Sequence, residues 1–122
     1  MDNKLYNLLE AAREKTEAGE LKWQAFDDES FRAAVGSGFL HIQRGSTRLE
    51  DDSGELVPAV TYSVQVSDEQ GRVVAEADVT EGFSAGDFTV LASLFLAARK
   101  SALESDRVIE DMLGSLRGGQ RR

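Results

Sequence analysis

The 122-residue sequence contains no cysteine and only one proline, one histidine and one tryptophan. Without cysteine there is no disulfide, no thiolate nucleophile and no thiolate-bound zinc. A single histidine would have to serve every triad and every imidazole ligand. No apolar run approaches the ~20 residues that span a bilayer, so no membrane partner is expected. Cations are scarce as well: 14 bases face 22 acids, for a formal charge of −8. Such a field repels phosphate backbones, which makes nucleic acid an unlikely partner. The opening segment MDNKLYNLLEAAREK is charged and amphipathic, unlike a signal peptide. The expected location is therefore cytoplasmic.

What remains is globular. A hydrophobic content of 41% with 30% charged residues suits one domain with a single core, expected over residues 1–117. Residues 118–122 (GGQRR) read as a flexible basic tail. Asp2 or Asn3 can cap a first helix running to about Ala18, with Leu5, Leu8, Leu9 and Ala12 as its buried stripe. Gly19 stands where a helix C-terminal glycine belongs.

From Leu21 the apolar period changes to two. LKWQAF places Leu21, Trp23 and Ala25 on one side, and Phe31, Ala33 and Val35 resume the pattern after DDES. GSG at 36–38 turns the chain into a third strand, FLHIQRG. The polar, acidic stretch GSTRLEDDSGE is expected to be a loop. Val60, Tyr62, Val64 and Val66 then alternate with polar residues, DEQG makes a hairpin, and Val73, Ala75, Ala77 and Val79 return inward. One face of the sheet should be buried and the other open to water.

Ser84 is expected to cap a helix, with Asp87 as a short capping-box partner. On a wheel of about 100° per residue, the apolar arc of residues 88–104 spans roughly 240°, more than twice what a surface helix needs. Phe95, Leu91 and Ala98 should face the sheet. Two accounts compete for the surplus. Either helix one and the C-terminal segment wrap over it so that the monomer buries everything, or Val90, Leu94 and Leu96 form an interface for a homodimer or another protein, the reading favoured here. The stripe of Val108, Ile109, Met112, Leu113 and Leu116 need not shift phase, so one continuous helix is possible. Ser105 and Asp106 are good caps, however, and favour a kink or break near Glu104–Asp106 that divides the region into two helices. The fold expected is α+β: a five-stranded antiparallel sheet with the N-terminal helix and C-terminal helical region on one face, in the order α-β-β-β-β-β-α-α.

Chemistry is thinly represented. His41 should lie opposite Leu40 and Ile42, on the open sheet face with Arg32, Gln43 and Gln65. A base there would need an orienting partner and a pocket. Acid clusters at Asp27, Asp28 and Glu29, and at Glu50, Asp51 and Asp52, lack the spaced ligands of a calcium loop. The glycines of GSGFLHIQRG precede no helix and form no phosphate loop. No catalytic residue, metal site or cofactor is expected. RGGQRR could contact RNA, but one such copy on an acidic domain reads more simply as a solvated tail.

The stretches LLEAAREKTEAGELKWQAF, SFRAAVGSGFLHIQRG and LAARKSALESDRVIEDMLGSL resemble a family of small uncharacterised prokaryotic proteins. These have a Lys-Trp strand after helix one and an L-x-x-A-R-(R/K)-x-A-L helix before a final short one. The resemblance implies the architecture above and carries no activity to any residue. Small acidic secretion chaperones differ, since they place a helix between strands three and four, where residues 45–56 here do not look helical. Two functional readings follow: an accessory or regulatory interaction module acting through an apolar helix face, or a small-ligand protein or enzyme with its site around His41.

Overall fold

In the computed structural model, residues 1–118 are described. The order is α1 (Asn3–Glu17), β1 (Gln24–Asp27), β2 (Ser30–Val35), β3 (Gly38–Glu50), β4 (Leu56–Ser67), β5 (Val73–Thr80), α2 (Ala85–Ala102) and α3 (Ser105–Gly118). The strands form one antiparallel sheet in sequence order, β1-β2-β3-β4-β5. The α+β architecture and the element order expected above are those observed.

α1 starts because the Asp2 carboxylate accepts hydrogen bonds from the backbone N–H of Lys4 (2.7 Å) and Leu5 (3.2 Å). These satisfy two of the donors that a helix N-terminus leaves free. Gly19, at φ +78°, ends it in a left-handed conformation that costs glycine nothing. Leu5, Leu9, Ala12 and Thr16 form the buried stripe. Asp2→Ala should lower stability by about 1 kcal/mol through loss of the cap, read as an earlier urea midpoint with an unchanged slope.

The tryptophan fastens three elements. Its indole N–H donates to Thr16 Oγ1 (2.8 Å), which in turn donates to the Ala12 carbonyl, and the Trp23 backbone N–H donates to Ser101 Oγ (3.2 Å). Trp23 therefore precedes β1 as an anchor rather than lying within a strand. Ala25, expected inward with it, is exposed on a four-residue edge strand. Val35 and Val73 are likewise exposed at strand ends.

The expected loop after Gly45 is mostly strand. β3 continues to Glu50 and pairs with β4 from Leu56, so Glu50↔Leu56 through Ser46↔Val60 form a two-stranded ribbon beyond the span shared with β2 and β5. Only Asp51–Glu55 turns. There the Asp51 carboxylate accepts from Ser53 N, Ser53 Oγ and Glu55 N, while Gly54 sits at φ +83°. The Ser53 hydroxyl, followed by these backbone donors, holds the Asp51 carboxyl below its ordinary pKa. The β4–β5 hairpin repeats the device: Asp68 accepts from Gln70 N and Arg72 N, and Gly71 has φ +82°. The shared pattern is Asp-x-x-Gly-x. It is local turn chemistry that lets a polar, acidic stretch remain in register.

The core lies between the sheet and the helices. Phe95 packs its ring 5.4 Å from both Phe31 and Tyr62. α2 touches α1 on one side and strands on the other, and this double contact uses up its wide apolar arc. Leu94 is fully buried and Val90 nearly so (6% exposed). The expectation that they form a free surface is therefore overturned: a helix with two partners needs two apolar stripes. Ser84 occupies the N-cap position, but at φ 45° and without a side-chain cap bond. Asp87, expected to complete the box, instead accepts from the Met1 ammonium at 3.2 Å. Leu103 caps α2, and Glu104 in the left-handed region (φ 51°) redirects the chain into α3. The expected break between two helices is present. Of the tail expected at 118–122, Gly118 closes α3 and residues 119–122 lie outside the described residues.

Candidate functional site

The sheet brings three of the four ligand-face residues together. Gln24, Arg32, His41, Gln65 and Glu76 are cross-strand neighbours in one row through all five strands. Gln43 belongs to the next row, between Ser30 and Ser63. His41 Nε2 lies 2.7 Å from Ser30 Oγ, and its ring stands 5.6 Å from Phe26. The Arg32 guanidinium sits 5.2 Å from the Phe26 ring centre and 4.8 Å from that of Phe39. The patch thus consists of an arginine between two aromatic rings and a histidine held by a hydroxyl.

Such a histidine is poorly placed for acid–base work. Its hydrogen-bond partner is the Ser30 hydroxyl rather than an orienting carboxylate, and the cavities beside α1 and between α1 and α2 are lined by other residues. Burial, then the nearby Arg32 charge, lowers its pKa below the ordinary 6.5, with Asp27 opposing. The unfolded chain therefore binds the proton more readily than the folded one. The neutral ring's contribution is complete above about pH 6.5 and is lost as pH falls through the lowered folded value. Between about pH 7.5 and about pH 5, the wild type should lose more of its urea midpoint than His41→Gln, whose profile lacks this slope.

The helical candidates divide differently. Val90 and Leu94 are core residues. Leu96 is 59% exposed, but it falls between Ser93 and Lys100 on the polar strip of α2, a lone apolar residue of the kind any surface carries. Several apolar residues are exposed singly or at strand ends, and α3 presents a helical stripe of them. None of its residues is buried, and Ile109, Met112 and Leu116 are 54%, 61% and 84% exposed, with Val108 beside them. Spacings of three, four and seven put these side chains on one face.

Among the described residues, the ion pairs that tether α3 are at its start. Glu104 carboxylate oxygens accept from Arg107 Nε (3.1 Å) and Nη2 (3.2 Å), and Lys100 lies 3.4 Å from Asp106. These exposed pairs fix its direction and add little stability. An isolated helix shorter than about 12–15 residues is marginal in water, and α3 has 14. Its apolar stripe was visible in the sequence, whereas its lack of cover depends on where the break at Glu104 sends the chain.

No helix of the described residues is long and apolar enough to cross a membrane. No family model, curated protein or solved structure matches the chain, so the reading below rests on its own geometry.

Proposed function

We propose that this protein is a small interaction module whose contact element is α3 and whose first partner is a second copy of the chain. One observation carries the proposal: Val108, Ile109, Met112 and Leu116 form an apolar stripe on a helix with no buried residue. Exposed stripes of this kind mark contact surfaces.

The stripe is also compatible with itself. Antiparallel pairing about a two-fold near Met112 stacks Met112 on Met112 of the second copy and sets Leu116 against Val108. The two-fold makes the contact self-complementary, each copy offering the same stripe. At ~1.5 Å per residue the helix offers ~21 Å of contact, toward the small end of stable interfaces. Association should therefore be reversible and concentration-dependent.

The test is an amide spectrum recorded across a concentration series. Resonances of Val108–Leu116 should shift with concentration while those of the sheet stay still. Concentration-dependent shifts confined to the sheet, or none at all, would reject α3 as the contact.

A further inference from the structure

β5 is the last strand of the sheet, and among the described residues its outer edge pairs with no further strand, although the Thr80 carbonyl accepts from Phe83 N–H (3.0 Å). The Glu81 N–H donates to the Val60 carbonyl (2.8 Å), which fixes the alternation along β5. Val79, Ala77 and Ala75 turn their backbone groups toward β4, while Thr80, Asp78 and Glu76 turn theirs outward. Unpaired strand backbone of this sort is a template for another strand. On the helix side, the small side chains of Ala75 and Ala77 leave a groove against α1. It has a volume of about 570 Å³; Leu5, Leu8, Val66, Ala75 and Ala77 supply most of its apolar lining, and Asp2, Lys4 and Glu76 its charged lining. On the opposite side of the same strand, Glu76 and Asp78 are exposed and form no ion pair among the described residues.

We infer that the β5 edge and this groove accept an extended peptide segment in which apolar side chains alternate with lysine or arginine. Added antiparallel to β5, such a segment takes its backbone hydrogen bonds from Glu76 and Asp78. Its apolar side chains drop into the groove beside Leu5 and Leu8, and its cations lie over the two carboxylates. Main-chain bonds would supply affinity and the alternation would supply specificity, the usual division when a peptide extends a sheet. A second copy of β5 is a poor occupant, because pairing centred on Ala77 sets Glu76 against Asp78 of the copy, and like charges directly opposed are destabilising. This site is separate from α3, and either can fail without the other.

The probe is a capped octapeptide of alternating lysine and valine, compared with a block peptide of four lysines followed by four valines. Each is titrated into the full chain while amide shifts and amide exchange are followed. The alternating peptide should saturate, shift β5 together with Leu5 and Leu8, and slow exchange at the Glu76 and Asp78 amides. Reversing both charges (Glu76→Lys with Asp78→Lys) should weaken it by about tenfold or more. Asp78→Pro removes an outward donor that the sheet itself does not use, and should also abolish saturation. Equal binding of the block peptide, or unchanged exchange at Glu76 and Asp78 on saturation, would overturn the assignment and leave charge attraction alone.

Discussion

Replacing Leu94 with aspartate should unfold the protein rather than dissociate a complex. The leucine has no exposed surface and lies in the same buried cluster as Leu9, Leu91 and Phe95. Removing a buried leucine side chain alone costs about 2–5 kcal/mol. The aspartate adds a charge with no cationic partner among its buried neighbours, a penalty of several kcal/mol more. Against a typical total stability of about 5–15 kcal/mol, that is enough to depopulate the fold. Leu96→Asp is the internal control: the same substitution two residues along, on an exposed position, should change stability by no more than about 0.5 kcal/mol. Circular dichroism of the two variants decides it. A folded Leu94→Asp protein would mean that α2 is not the centre of the core.

Met112→Asp is expected to do the reverse, leaving the fold intact while removing self-association. Met112 is largely exposed and α3 buries nothing, so the monomer loses little. In the antiparallel pair, however, the two-fold brings both substituted side chains together. Lost apolar contact and opposed like charges should weaken the dimer by about 100-fold or more. Ile109→Asp should act in the same direction, and Leu116→Asp less strongly because it lies nearer the helix end. The thermal midpoint measured at low concentration should stay within a few degrees of wild type for all three.

The contrast between these positions shows what the sequence disclosed and what it concealed. Period-two alternation at Val60–Val66 and Val73–Val79 marked the sheet and its buried face. The cap at Asp2 and the glycine at 19 marked α1, and they do so through hydrogen bonds local enough to be legible in one dimension. The long ribbon was hidden because Ser46–Glu50 carries few β-favouring residues. It is held by turn chemistry at Asp51 and Gly54, and the same Asp-x-x-Gly-x pattern at Asp68 was available as a clue.

The row of Arg32, His41 and Gln65 followed from strand order and parity alone. The Ser30 contact did not, since Ser30 reaches His41 only once β2 and β3 are in register. The surplus assigned to Val90 and Leu94 failed for a tertiary reason. A hydrophobic arc reports how much cover a helix needs, not which neighbours supply it. α1 and the sheet supply it to α2, while α3 carries its stripe away from the core.

The most direct test is sedimentation velocity of the wild type and Met112→Asp over a range of concentrations at physiological salt. The α3 account predicts a wild-type mass that rises from one chain toward two, and a Met112→Asp mass that stays at one chain throughout. A wild type that remains a single chain at every concentration, or a dimer untouched by Met112→Asp, would contradict it.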